Sequence, residues 1–215
     1  MAISLPTEKL QAIQVSEYLK RGFELWKSNL GILVLSLLVL IFLSAISIGI
    51  LAGPLFAGFI KICSRLEKPI PGTPTPKVGD LFEGFDVFLP SLVFMVLLFL
   101  ISIVLNFILG LFGSFGGIAS SIIGMIIGGS AVSIGLPLIA FKKTSSAIEA
   151  IGALFNALKE APVPTSILFF VAGLISYLGV ILLGIGIILT APFSSCVAAC
   201  LYNDLFRENE EVTVM

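Results

Sequence analysis

The chain has no histidine, and only 12% of its 215 residues are charged. Without histidine it lacks the most common general base near neutral pH, so Ser-His-Asp and Cys-His catalytic arrangements are excluded. The net charge of −1 also argues against a basic surface for nucleic acid. We therefore expect a protein that is not an enzyme and has no nucleic-acid partner.

Cysteine is scarce as well. The three cysteines, Cys63, Cys196 and Cys200, all lie in apolar segments that we expect to be helical. An odd number in such places fits small core residues better than disulfide bonds. Cys196 and Cys200 are one helical turn apart, but two ligands without a third or fourth make a poor metal site. We expect no metal and no other cofactor.

Hydrophobic residues, in contrast, make up 58% of the chain. A helix of about 20 apolar residues crosses the hydrocarbon layer of a bilayer, and a chain of this size has too few polar residues to cover several such helices in water. The sequence therefore predicts an all-α membrane protein, with residues 1–215 forming a single polytopic domain. Its six transmembrane helices are expected at residues 30–46, 47–63, 88–111, 118–141, 166–183 and 184–205.

The positions of the charges predict how these helices are connected. Lysine, arginine and the acids all lie before, between or after three pairs of apolar runs, and the short joint inside each pair is uncharged. Because lysine and arginine mark the cytoplasmic side of a membrane, we expect three hairpins in the cytoplasmic (inner) membrane. Both the N and the C terminus are then cytoplasmic.

The second helix of each predicted hairpin contains a proline, at Pro54, Pro137 or Pro192. Proline removes a backbone hydrogen-bond donor and clashes with the preceding turn, so we expect these helices to be kinked and to lie inside the bundle.

The same helices carry small residues spaced by four, a pattern that lets helix backbones approach closely in lipid. We expect helix packing at these positions. They include Gly49, Gly53, Gly124, Gly128, Gly186 and Thr190.

An amphipathic stretch precedes each hairpin and is expected to form a helix in the cytoplasmic interface. In the second stretch Asp80 is the expected N-cap, and in the third the apolar stripe is expected to contain Ile148, Leu154 and Phe155. These three stretches suggest loosely repeated units at residues 8–66, 78–143 and 144–206, with a proline-rich linker at 67–79.

Several short motifs resemble those of a group of uncharacterised multi-pass membrane proteins of bacteria and archaea. They are GFELWKSNLG from Gly22, GPLFAGFIK from Gly53, DLFEGF from Asp80 and TAPFSSCVAACLYNDLF from Thr190. The resemblance implies a compact helical bundle in the cytoplasmic membrane. It brings no catalytic residues.

Two hypotheses for function remain open. The first is a scaffold or accessory subunit that packs against membrane lipids, a membrane-protein partner or copies of itself; the absence of charge inside the helices favours it. The second is a small transporter or channel-like protein for a neutral or lipid-like solute. In that case Asn106 and Ser194 are the candidate polar residues of a cavity.

Overall fold

A computed structural model describes residues 7–69, 72–181 and 185–207, and every element within these ranges is helical. The protein is thus all-α, as predicted. The first part of the chain forms α1 (Thr7–Gln11), α2 (Val15–Ser28), α3 (Leu30–Ile46) and α4 (Ala52–Glu67). The middle part forms a 3-10 helix (Val78–Val87), α5 (Phe88–Gly110), α6 (Gly113–Ser130), a π-helical turn (Ala131–Gly135) and α7 (Leu136–Ala140). The last part forms α8 (Ala147–Glu160), α9 (Pro162–Ile181), α10 (Ile185–Thr190), α11 (Pro192–Tyr202) and a second π-helical turn (Asn203–Arg207).

Two continuous helical stretches are long and apolar enough to cross a membrane, Val78–Gly110 and Gly113–Ala140. Two bent pairs would raise the number to four if each pair counts as one span. These are α2 with α3, bent by 86°, and α8 with the first part of α9, bent by 112°. The structure therefore supports a membrane protein with two clear spans and up to four.

The centre of the fold is formed by α4 and α11, which are buried along most of their length. Small residues allow this burial because they bring backbones close together. A Cβ atom at Gly58 of α4 would overlap the carbonyl oxygen of Leu81, and one at Gly84 would overlap that of Pro54. The 3-10 helix and α4 are consequently in backbone contact.

The three prolines occupy different helical environments. The prediction of a kink at Pro54 is wrong. Because α4 begins at Ala52, Pro54 lies in its first turn, where backbone N–H groups have no hydrogen-bond partner within the helix. Pro137 follows the π-helical turn Ala131–Gly135, where an extra residue in the turn makes room for the ring. Pro192 opens α11 after a one-residue break from α10 at Ala191.

The predicted small-residue contacts are found at only some positions. A Cβ at Gly53 would lie 2.6 Å from the carbonyl oxygen of Ser91 in α5, so this glycine does permit a close helix contact. Nothing lies within 4 Å of a Cβ built at Gly49, Gly124 or Gly128. The described residues therefore make no close helix contact at these three glycines. Gly49 instead has a φ of +83° in the turn between α3 and α4.

In two of the amphipathic stretches the structure differs from the prediction. The 3-10 helix begins at Val78, so Asp80 is not its N-cap but accepts a hydrogen bond from the backbone N–H of Lys77 at 3.1 Å. In α8 the buried face consists mainly of alanines together with Leu154, whereas Ile148 and Phe155 of the predicted stripe are exposed. Alanine packs here because its small side chain lets α8 approach its neighbours.

Candidate functional site

A cavity with a volume of about 590 Å³ lies among α5, α6, α9 and α11. Cavities of this size hold small molecules in many proteins. Its lining is formed by Asn106, Ser120, Ser121, Gly124, Met125, Gly128, Gly129, Val132, Ser133, Phe169, Ala172, Gly173, Ser176 and Ser194.

Asn106 of α5 provides the amide of this cavity. Its Nδ2 donates to the carbonyl oxygen of Ser102 at 2.8 Å, and its Oδ1 accepts from the hydroxyl of Ser120 on α6 at 3.0 Å. An amide oxygen has two lone pairs, so the Oδ1 atom of Asn106 can accept a second hydrogen bond. The side chain is exposed and therefore accessible to a ligand.

Hydroxyl groups line the opposite wall, and each makes a hydrogen bond along its own helix. Ser194 donates to the carbonyl oxygen of Ala191 at 3.1 Å, and Ser176 donates to that of Ala172 at 3.0 Å. A serine hydroxyl that donates a hydrogen bond still has lone pairs on its oxygen, and these can accept another hydrogen bond. These serines can thus accept hydrogen bonds from a ligand without losing their own partners.

Thr190 does not line the cavity but fixes one of its walls. Its hydroxyl lies 2.6 Å from the carbonyl oxygen of Ser176 and 3.1 Å from that of Gly186. The contact joins α10 to α9 beside the cavity, so Thr190 and Gly186 have a structural position rather than a ligand-facing one.

The rest of the lining is apolar or has no side chain. Phe169, Met125, Val132 and Ala172 provide hydrocarbon surface, and the exposed glycines Gly124 and Gly128 leave the cavity open along α6. None of the described residues that line the cavity carries a charge. The cavity can therefore make a few neutral hydrogen bonds within a mostly apolar environment.

Charged residues gather elsewhere, in two networks that connect segments distant in sequence. In the first, Arg21 of α2 binds Asp204 at 2.5 Å and also pairs with Glu67 at the end of α4. Asn203 extends this network by donating to Glu67 at 2.6 Å, and it accepts a bond from the buried Ser64.

The second network joins α4 to the 3-10 helix. Lys61 is only 8% exposed and binds Asp86 at 2.9 Å, and Lys142 binds the same carboxylate at 3.0 Å. Arg65 pairs with both oxygens of Glu83. The acids of the 3-10 helix therefore contact basic residues of neighbouring segments.

The cysteines lie in the core and not in the cavity. All three are buried and free, and residues 7–69, 72–181 and 185–207 contain no group of three or more side chains suited to a metal ion.

Four of the predicted candidates meet at the cavity, namely Asn106, Ser194, Gly124 and Gly128, whereas Gly53, Pro54, Pro137 and Pro192 do not line it. The sequence prediction missed Ser176 and Phe169 of α9, because the rows of small residues were found only in the second helix of each hairpin. The spacing of Ser120, Gly124 and Gly128 did mark the correct face of α6. We interpreted it as a packing face, although a row of small residues also leaves space beside a helix.

Comparison with protein-family models, with curated proteins and with solved structures found no match.

Proposed function

We propose that this protein is an integral membrane protein that binds a neutral, lipid-like molecule in the cavity around Asn106 and Ser194. The observation that carries the proposal is one cavity of about 590 Å³ that combines an amide, several hydroxyls and apolar walls. Such a site is suited to carriage of the molecule within the membrane, or to sensing it, and not to chemical conversion.

The absence of charge in the described lining defines the class of ligand. Transfer of a charged group from water into a mostly apolar site without a partner is strongly unfavourable. A neutral hydroxyl group can instead donate a hydrogen bond to the Oδ1 atom of Asn106 or to a serine oxygen. We therefore favour a lipid with an uncharged head group, such as a diacylglycerol, over an anionic phospholipid.

The proposal is tested by replacing Asn106 with leucine. The probe is dioleoylglycerol added to the purified protein in nanodiscs, and bound probe is counted by native mass spectrometry. Loss of the amide leaves ligand hydroxyls without a partner, which costs about 1–3 kcal/mol, so we expect Asn106→Leu to weaken retention by about 5- to 150-fold.

Asn156→Leu is the matched control, because it makes the same substitution at an exposed position of α8 outside the cavity. Retention by this variant should equal that of the wild type. Equal retention by Asn106→Leu and the wild type, or stronger retention of dioleoylphosphatidylglycerol than of dioleoylglycerol, would contradict the proposal.

We also propose the full layout of six spans in three hairpins, with both termini in the cytoplasm. The two charge networks support it. The contact between Arg21 and Glu67 joins the segments before and after the first hairpin, and the contact between Lys142 and Asp86 joins those before and after the second. Charged segments that contact one another belong on the same side of a bilayer.

Thiol labelling tests this layout. Ser114 lies at the start of α6, directly after the uncharged joint with α5, and Thr75 lies in the proline-rich linker. In whole cells, an impermeant maleimide should label Ser114→Cys. It should label Thr75→Cys only after the membrane is permeabilised. The three native cysteines are buried and provide a low background. The reverse labelling pattern would overturn the proposed orientation.

A scaffold or accessory subunit is the second candidate. The exposed apolar surface of α5, which includes Phe99, Ile103 and Phe107, favours it because a partner helix could cover that surface as well as lipid can. A protein companion in fixed stoichiometry in the same mass spectra would support this function. A lone chain that retains dioleoylglycerol would support the first.

A further inference from the structure

A second hollow adjoins the cavity and lies between α5 and α6. It has a volume of about 360 Å³, and its walls are almost entirely hydrocarbon. We call it the α5–α6 groove. Its lining includes Met95, Leu98, Phe99, Leu105 and Ile127.

The groove and the cavity share two residues, Gly124 and Gly128. Both glycines are exposed, and a Cβ atom at either position would meet nothing within 4 Å. With no side chain at these two positions, no wall stands between the two hollows over one turn of α6. A Cβ atom at either position would lie between the two hollows without clashing with the fold.

We propose that a hydrocarbon chain of the ligand passes over Gly124 and Gly128 and lies in the α5–α6 groove, while the neutral head group stays beside Asn106. This inference rests on the proposed function, because it takes the cavity to be the site of the head group. It adds the chemical form of the ligand, which has one neutral polar end and at least one long chain.

The distribution of polar atoms supports this orientation. In the cavity the amide of Asn106 and the hydroxyls of Ser120, Ser176 and Ser194 are available. In the groove the one hydroxyl is that of Ser102, which lies 3.4 Å from the Nδ2 atom of Asn106 and so faces the cavity end. Polarity thus falls from the cavity to the groove, as it does along a lipid from head to tail.

The length of the groove also fits an acyl chain. It extends along α5 from Met95 to Leu105, which is about 15 Å at the rise of an α-helix. Met95 and Phe99 also line a further apolar hollow that reaches Ile48 and Gly49 at the α3–α4 turn. A chain longer than the groove therefore has space to continue.

Photo-crosslinking tests the path of the chain. The probe is a diacylglycerol with a diazirine near the end of one acyl chain, added to the protein in nanodiscs with and without excess dioleoylglycerol. Labelling that the competitor removes is specific. We expect specific labels on residues of the groove, such as Leu98, Leu105 and Ile127.

Gly128→Leu should reduce this specific labelling at least tenfold, because the new side chain fills the passage. Gly124→Val is a second variant with the same expected direction. The control is Gly117→Leu, which alters an exposed glycine of the same helix that borders neither hollow and whose Cβ would meet nothing within 4 Å.

Each outcome supports or overturns the inference. If the wild type retains dioleoylglycerol and Asn106→Leu does not, but specific labels lie away from the groove or persist in Gly128→Leu, the path of the chain is wrong and the proposed function stands. If the wild type and Asn106→Leu retain the probe equally, the proposed function fails and the inference fails with it.

Discussion

Gly58→Leu is expected to prevent stable folding, with a loss of about 3 kcal/mol or more in the free energy of unfolding. A side chain at Gly58 would overlap the backbone of Leu81, and backbone cannot rotate away as a flexible side chain can. Accommodation therefore requires α4 to separate from the 3-10 helix. Unfolding of the purified protein by sodium dodecyl sulfate in mixed micelles measures the change.

The control for this variant is Gly152→Leu on α8. Gly152 is exposed and a Cβ there would meet nothing within 4 Å, so the substitution introduces the same residue without steric conflict. Leucine also favours helix over glycine, and this variant should be as stable as the wild type. Similar stability of both variants would show that α4 and the 3-10 helix are not in close contact.

Arg21→Met is expected to lower the free energy of unfolding by about 2–3 kcal/mol. Removal of one partner from a buried ion pair costs about 3–5 kcal/mol because the remaining charge is left uncompensated. The side chains of Arg21 and Glu67 are 31% and 14% exposed, so water screens part of this cost. The substitution leaves Glu67 and Asp204 without the guanidinium that binds both.

A double-mutant cycle with Glu67→Met separates the pair from its surroundings. The double variant should lose less stability than the sum of the two single variants, because removal of both partners leaves no unpaired charge between them. Lys20→Met changes an exposed neighbour on α2 and should have little effect. Additive losses in the cycle would show that Arg21 and Glu67 do not interact.

These two predictions concern the contacts that join the segments between the apolar helices. Gly58 and Gly84 permit backbone contact between α4 and the 3-10 helix, and Arg21 joins α2 to the ends of α4 and α11. The candidate cavity lies among α5, α6, α9 and the opposite end of α11, where Ser194 lines it. We therefore expect variants of Arg21 to change stability, and variants of Asn106 to change binding.

Part of the candidate site could be predicted from the sequence. Asn106 and Ser194 were candidates because polar side chains are rare in apolar helices, and both line the cavity. Ser176 could not be selected in the same way. A serine in a membrane helix often bonds to a carbonyl of its own helix, as Ser176 does with Ala172, so only the tertiary structure shows that Ser176 lines the same cavity as Ser194.

The sequence by itself determined the all-helical fold and the membrane character. Long apolar runs leave no alternative to helices that satisfy their own backbone hydrogen bonds in lipid, and α3 begins and ends at the predicted residues. The tertiary structure decided what the small residues do. Gly53 contacts a neighbouring backbone, whereas Gly124 and Gly128 border empty space. A glycine leaves space where another residue would have a side chain. The neighbouring segments decide whether a helix fills that space or a cavity remains there.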